Sequence, residues 1–332
     1  MKRTLAALAM LCVANSTQAR IPSSNNLADK FFVGATGFYL QNASSNGEFD
    51  YGSRGVLNIS QNSFTGIVDN FSPGYDWGWG AQIGYIAKNG VNDIALRYSH
   101  IRNDAVDSDA SVDAIFPIIN GDPTNIFGSA VTGSFSTHVD QIDLVGGQFI
   151  PVQSCLIFHP FIGLRWAQLK EEFYTTITHP SGTVIFENFE SKYNGIGPNM
   201  GLSANYFMTP QFSLVGYLGA ALLFGDIDAS STFFDNEINL GLHETNAKNT
   251  NHRLVPMVDM KLGFDYTTFV DIYLLNIELG WKFTEYFNVL DTVASSPANT
   301  GGFPANAGIF PISTTTSDLS LQGPYVEFVL AF

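Results

Sequence analysis

Strict alternation of apolar and polar residues constrains the fold of this chain more than any other feature of its sequence. From Tyr75 to Ala87, aromatic and aliphatic residues occupy every second position, with glycine or polar residues between them. A period of two predicts a β-strand with one apolar and one polar face. Lys88-Asn89-Gly90 follows, and an Asn-Gly pair accepts the positive φ angles of a tight hairpin turn. The predicted return strand places Ile94, Leu96 and Tyr98 on the apolar face and Asp93, Arg97 and Ser99 on the polar face.

The same hairpin pattern recurs later in the chain. Residues 258–266 and 273–283 both alternate, and both keep their charged residues on a single face. In a soluble β-sandwich that polar face would contact water, whereas in a membrane barrel it faces the lumen. Only 14% of the residues are charged, and no apolar run in the mature chain is long enough for a transmembrane helix. These features predict an all-β transmembrane barrel with a polar interior.

The predicted fold is an antiparallel up-and-down barrel of ten strands, an even number as expected for a single-chain bacterial barrel. The strands are residues 30–41, 74–87, 91–103, 134–149, 156–172, 188–206, 211–226, 250–266, 271–287 and 318–332. Short turns alternate with long polar loops, and the loop 42–73 could hold another hairpin, which would raise the count to twelve. Several strands exceed the roughly 9–11 residues that cross a bilayer, so we expect the wall to rise above the outer leaflet.

The first residues have the pattern of an export signal. Lys2 and Arg3 precede a short apolar stretch, and a run of small and polar residues ends at Ala19. We therefore predict cleavage after Ala19, which divides the chain into a signal peptide, 1–19, and an outer-membrane barrel, 20–332.

Charge and cysteine content restrict the mature chain further. Removing two of the 15 basic residues leaves 13 against 30 acidic ones, a formal charge of 13 − 30 = −17. Such a polyanion has no electrostatic attraction to nucleic acid, so no nucleic-acid partner is expected. Cys12 lies in the predicted signal peptide, and Cys155 is then either buried or paired with another chain in an interchain disulfide.

The outward, lipid-facing side of the barrel carries two sets of candidate residues. In the last strand, apolar residues occupy every second position and end on an aromatic: Val326, Phe328, Leu330 and Phe332. This resembles the terminal signal that the barrel-assembly machinery recognises, although an ordinary edge strand would have the same pattern. Aromatic residues expected to anchor the wall at the membrane interface are Trp77, Trp79, Tyr85, Trp166, Tyr206, Trp281 and Tyr286.

The polar face supplies the candidate pore-lining residues. They are Gln82, Arg97, Asp143, Arg165, Asp259, Lys261, Glu278, Lys282 and Glu327. Charges of both signs could create a transverse field across a water-filled path. Alternatively they form a closed salt-bridge network that fills a narrow lumen, with the hairpin register bringing Glu278 near Lys261. Ten strands permit a narrow pore without requiring one.

Two weaker sites lie toward the predicted outer end of the barrel. The acidic cluster Asp104, Asp107, Asp109 and Asp113 could bind a hard cation such as Ca²⁺, although a solvated acidic loop is the commoner explanation. His138 and Asp140 could act as a general base at the rim. No nucleophile motif or cofactor signature accompanies them, and the six histidines lack metal-ligand spacing. We therefore expect a protein that is not an enzyme, with no resident metal or cofactor.

Four segments of the chain resemble the major outer-membrane protein family of Legionella, a group of pore-forming surface proteins. They are Phe158-His159-Pro160-Phe161-Ile162-Gly163-Leu164-Arg165, Tyr193-Asn194-Gly195-Ile196-Gly197-Pro198-Asn199-Met200-Gly201, Met260-Lys261-Leu262-Gly263 and the last strand ending at Phe332. The resemblance covers most of the mature chain and implies surface exposure and passive diffusion of small solutes. It supplies no catalytic residues.

The leading hypothesis is a porin-like barrel in the outer membrane of a Gram-negative bacterium, with its loops at the cell surface. One alternative is a barrel with a side-chain-filled lumen that serves as an adhesin or envelope anchor. A less favoured alternative is an outer-membrane hydrolase that uses His138 or His252. The expected partners are outer-membrane lipid, lipopolysaccharide and the barrel-assembly machinery, and a homo-oligomer is left open.

Overall fold

The computed structural model describes residues 28–43, 50–58, 63–70, 73–110, 114–116, 130–178, 184–237, 241–295 and 312–332. The predicted signal peptide lies outside these residues. The strands are β1 (Lys30–Ala43), β2 (Asp50–Asn58), β3 (Ser63–Asn70), β4 (Tyr75–Ile86), β5 (Asn92–Ala110), β6 (Ala114–Phe116), β7 (Ala130–Gln148), β8 (Ile150–Gln153), β9 (Leu156–Thr178), β10 (Val184–Phe207), β11 (Phe212–Glu237), β12 (Gly241–Val270), β13 (Tyr273–Ser295) and β14 (Ile312–Ala331). A helix that is long and apolar enough to span a membrane does not occur in the described ranges.

Ten of these strands close into one antiparallel ring, which confirms the predicted barrel. Around the ring the order is β1, β4, β5, β7, β9, β10, β11, β12, β13 and β14. The ring closes between the first and last strands, where the Phe31 amide donates to the Phe332 carbonyl at 3.1 Å. Closure pairs the backbone polar groups of every wall strand on both sides, as a lipid environment requires.

The hairpin turn between β4 and β5 has the predicted chemistry. Gly90 has a φ angle of 66°, in the left-handed region that favours glycine. The Asn89 side-chain oxygen accepts hydrogen bonds from the amides of Val91 and Asn92 at 3.0 and 3.1 Å. The local sequence therefore determines this turn.

The strands extend farther toward the outer end than the sequence predicted. β9 continues to Thr178 and β12 begins at Gly241, so most of the predicted loops 173–187 and 227–249 consists of strand. The prediction assigned these polar segments to loops. The wall continues because its backbone pairing does not depend on lipid. β12, at 30 residues, is far longer than the roughly 9–11 residues that cross a bilayer.

The segment 42–73 does contain another hairpin, but the barrel does not become twelve-stranded. β2 and β3 pair with each other, and β6 pairs with β2 in a separate three-stranded sheet. The ring keeps ten strands because β1 pairs directly with β4.

A row of paired residues marks where the outward face changes from apolar to polar on six adjacent strands. The row is His100, Asp140, Gln168, Asn194, Asp226 and His252, each paired in register with the next. On the turn side of this row the outward residues are apolar and exposed, as with Leu164 and Ile162 on β9. Beyond the row they are polar, as with Lys170 and Glu172. The apolar zone is the surface that faces lipid.

The barrel interior consists of three layers. The floor, near the short turns, is apolar and comprises Phe32, Ile86, Ala95, Val145, Phe161 and Ala331. The belt above it is formed by the nine predicted pore-lining residues. The roof above the belt is apolar and comprises Phe38, Leu40, Ile101, Val139, Ala167, Leu169, Tyr193, Ala221, Leu223, Ile227, Val255, Met257, Tyr286, Val289, Leu290, Leu319, Leu321 and Tyr325.

One predicted interface aromatic lies in the roof instead. Tyr286 is fully buried and donates a hydrogen bond to Gln141 at 3.0 Å. The prediction was wrong because Tyr286 lies an even number of residues from Lys282 and Thr284 and therefore shares their inward-facing parity. Trp281 lies an odd number of residues away and has the outward parity. Trp77, Trp79 and Trp281 are exposed on the outward face, as predicted.

Candidate functional site

The belt forms a single charged site inside the barrel. Eight of its nine side chains line one cavity of about 190 Å³, and the ninth, Arg165, is buried beside it. Arg165 points inward between Leu164 and Trp166, which point outward. The belt is therefore surrounded by the lipid-facing zone of the wall, with the floor below and the roof above.

Arg165 forms the most extensive ion-pair network of the belt. Its Nε and Nη2 atoms donate to the two carboxylate oxygens of Asp143 at 2.6 and 2.8 Å. Its Nη1 atom donates to Asp259 at 2.6 Å. Thr284 and Gln141 donate to the same two carboxylates at 2.6 and 2.8 Å. Such a bidentate, charge-assisted arrangement holds the guanidinium in a single geometry.

A second ion pair lies on the other side of the cavity. Lys261 donates to Glu327 at 3.1 Å, and Gln82 donates to the other oxygen of that carboxylate at 2.6 Å. The sequence had placed Glu278 near Lys261, but in register Glu278 is opposite Asp265 and its carboxylate accepts a hydrogen bond from Tyr325. Lys261 therefore forms its ion pair with Glu327 of β14 rather than with Glu278 of β13.

Sequence reasoning missed several polar residues around the belt. Asp265 is buried and accepts hydrogen bonds from Ser213, Thr267 and Asn276. It has the same parity as Lys261, so the alternation already carried the signal that it faces inward. Tyr325 is on the inward face for the same reason, opposite to the outward Val326 and Phe328.

Comparison with known families identifies the chain's relatives. The sequence profile described as the Legionella pneumophila major outer membrane protein precursor matches residues 22–332. The chain belongs to this family. Its location is accordingly the outer membrane of a Gram-negative bacterium. No curated protein matches the sequence of this family member.

Solved structures that overlap this family member are outer-membrane proteins. The outer membrane protease OmpT from Escherichia coli has 10% identity and a TM-score of 0.43, over 92% of this chain and 96% of that one. The toluene transporter TodX from P. putida has 10% identity and a TM-score of 0.32, over 94% and 91%. A FadL homologue from Pseudomonas aeruginosa has 7% identity and a TM-score of 0.30, over 92% and 90%. Overlaps at this level carry no argument about activity.

The structure describes two side chains of the acidic cluster, Asp104 and Asp107, in this member of the Legionella major outer-membrane protein family. Asp104 accepts hydrogen bonds from Arg102 at 2.7 Å and from Ser136 at 2.6 Å, while Asp107 is exposed. The side chains of Asp109 and Asp113 lie outside the described residues. Within the described ranges, no group of three or more metal-ligand side chains is close enough to hold an ion.

The rim histidines of this family member lie on the outward face of the wall. His138 is 3.0 Å from the Ser136 hydroxyl. Asp140 instead contacts His100 at 2.9 Å and accepts from Tyr98 at 2.6 Å. The predicted acid and base therefore have separate partners: His138 contacts Ser136 of its own strand, whereas Asp140 contacts Tyr98 and His100 of β5. His252 contacts Asp226 in the same kind of cross-strand pair.

Cys155 lies in the short turn before β9, at the end of the barrel opposite the long outer extensions. Its side chain is 7% exposed, and its carbonyl accepts the Phe207 amide at 2.7 Å. The structure thus corresponds to the buried alternative for this thiol in the family member. An interchain disulfide would require the turn to open.

Proposed function

We propose that this chain is a pore-forming outer-membrane protein that allows small hydrophilic solutes to cross at the belt. The observation that carries this proposal is the group of eight charged side chains, four basic and four acidic, around a cavity within the lipid-facing zone. Ionisable groups at membrane depth are costly, and they commonly mark a solute pathway. Opposed charges around such a pathway orient and screen the solute as it passes.

The roof sets a condition on this proposal. Its side chains come from nine of the ten ring strands and are at most 4% exposed. A continuous water path would leave them accessible, so the structure represents a closed state. Conduction then requires roof side chains such as Leu169 and Leu223 to move aside.

Single-channel recording of the refolded mature protein in a planar bilayer tests the proposal. We expect discrete conductance steps whose ion selectivity changes in Glu278→Gln and in Lys261→Gln. Lys170→Gln is the matched control, because Lys170 lies on the outward wall beyond the lipid-facing zone. A folded wild-type barrel that never conducts would refute the pore.

The packed roof favours a second candidate function. A barrel closed by side chains can serve as a surface adhesin or an envelope anchor, with the outer extensions of its wall as the binding surface. In this case the belt would only fill the lumen. Binding of the folded, non-conducting barrel to host cells or to isolated cell wall would support this candidate. Neither proposal includes a catalytic step.

The proposed partners follow from the two outward zones of the wall. The apolar zone would contact outer-membrane lipid, and polar residues beyond it, such as Lys170 and Lys192, would contact lipopolysaccharide. We also propose that the barrel-assembly machinery recognises the last strand, whose residues Val326, Phe328, Leu330 and Phe332 share the outward face. Crosslinking in cells tests these partners and shows whether the barrel forms a homo-oligomer.

A further inference from the structure

The acidic groups of the belt are all engaged by hydrogen bonds. Asp143 and Asp259 pair with Arg165, and Glu327 pairs with Lys261. Glu278 accepts a hydrogen bond from Tyr325. Every carboxylate of the belt therefore already has a hydrogen-bond donor.

Two of the four basic groups, Arg97 and Lys282, have no such partner. Neither forms a hydrogen bond or an ion pair with any residue that the structure describes. The Nε atom of Arg97 is buried without an acceptor. Arg97 lies over the Phe161 ring at 5.8 Å, and Lys282 lies over the Phe38 ring at 4.8 Å. Lys282 is only 6% exposed. Both line the cavity, so the side-chain donors there that lack an acceptor belong to two cationic groups.

We propose that the belt cavity binds a small oxyanion between Arg97 and Lys282. A guanidinium presents a planar set of donors that matches the oxygens of a phosphate or carboxylate, and an ammonium adds a compact charge. Ser99, Ser203 and Asn205 also line the cavity and offer neutral donors. In a site removed from bulk water these bonds are stronger than in solution, and an unpaired buried cation gains most from them.

The size of the cavity is compatible with such a ligand. One water needs roughly 10–15 Å³ of space of this kind, so a volume of about 190 Å³ accommodates a multi-atom anion. A metal cation fits the site less well, because the carboxylates are engaged by Arg165, Lys261 and Tyr325.

This inference deepens the proposed function, since it names small anions as the solute class that rests at the belt. It can be tested without conduction. The full mature chain is refolded in radiolabelled inorganic phosphate, so that the roof does not limit access, and bound phosphate is measured by equilibrium dialysis. Acetate and chloride are tested as competitors.

We expect one phosphate per barrel in the wild type, with affinity at least ten-fold weaker in Arg97→Gln and in Lys282→Gln. Lys282→Arg should retain binding because it keeps the charge. Lys170→Gln should match the wild type, because Lys170 pairs with Glu172 on the outer wall. Heat-dependent migration in gels confirms that each variant is folded.

The outcomes separate the two proposals. Absence of phosphate from the wild type would overturn the anion site even if the barrel conducts. Wild-type affinity in both glutamine variants would overturn it as well. Retained phosphate in a barrel that never conducts would support the site and refute the pore.

Discussion

Arg165 of β9 and Asp259 of β12 form an ion pair across the barrel interior, with 2.6 Å between Nη1 and Oδ2. Two strands, β10 and β11, separate them in the wall. The same guanidinium pairs with Asp143 on β7. One side chain therefore connects three separate strands of the ring, and it is only 1% exposed.

Replacing Arg165 with Met should strongly destabilise the barrel, because it leaves the carboxylates of Asp143 and Asp259 buried without their counter-ion. We expect a loss of about 3–5 kcal/mol in the free energy of unfolding. Urea unfolding in micelles measures it. Lys170→Met is the control, since it removes a surface pair and should cost about 0–1 kcal/mol. Equal losses in the two variants would show that the Arg165 network adds little.

Arginine at Leu279 should impair insertion, because Leu279 faces lipid and is 61% exposed. The expected cost is about 2–4 kcal/mol near mid-membrane. Gln168→Arg is the control on the polar row, where the cost should be about 0–1 kcal/mol. Folding yield into lipid vesicles compares them. A normal yield for Leu279→Arg would contradict the assignment of the lipid face.

Leu169→Ala should create a cavity in the roof, since Leu169 is fully buried among the roof side chains. The expected loss is about 2–5 kcal/mol in the free energy of unfolding. If the roof is the barrier to solutes, the variant should also conduct more often in planar bilayers. Ile162→Ala truncates a lipid-facing residue that is 66% exposed and should change neither property much. A stable Leu169→Ala barrel would show that the roof is loosely packed.

Gly197→Ala should lower the yield of folded barrel. A β-carbon at Gly197 would lie 1.7 Å from the Leu222 carbonyl oxygen on β11, so the two strands would have to separate locally. We expect a loss of about 1–3 kcal/mol. Gly216→Ala is the control, because a β-carbon there meets no atom within 4 Å. Similar unfolding curves for both variants would mean that the wall adjusts to the added methyl group.

Deleting Phe332 should reduce assembly in cells if the last strand is the assembly signal. Phe332 is 48% exposed on the outward face, and its backbone also pairs with Phe31 to close the ring, so Phe332→Ala, which keeps those backbone bonds, is compared with the deletion. The amount of folded barrel in isolated outer membranes measures the effect. Refolding of the purified variant in detergent should be less affected, which separates recognition from stability. Unchanged assembly in cells would contradict a signal at this residue.

The inward position of the belt side chains was predictable from the sequence. Parity alone placed all nine belt residues inward and Leu279, Trp281 and Phe328 outward, because successive side chains of a strand point to opposite faces. The hairpin at Gly90 was predictable for the same local reason.

The roof was not predicted, although the signal is present in the sequence. On β9 the inward residue is Arg165 in the lipid-facing zone and Leu169 beyond it, while the outward residue changes from Leu164 to Lys170. The same alternate positions still point inward along the whole strand. The inward face changes from polar to apolar, and the outward face changes from apolar to polar. The surroundings of the wall change from lipid to water, so the apolar side must turn inward. The sequence interpretation ended this strand at residue 172 and did not identify the exchange of polarity.

The sequence by itself determined the strand class and the face of each belt residue, since these depend on local periodicity and turn chemistry. It left a ring of ten or of twelve strands open. Only the tertiary structure decided that the ring has ten strands, that Lys261 pairs with Glu327, that Arg165 reaches Asp259, and that Arg97 and Lys282 have no hydrogen-bond partner among the described residues. These relationships join strands that are distant in sequence. Their side chains meet only when the ring closes, and the stagger between strands sets which ones share a height.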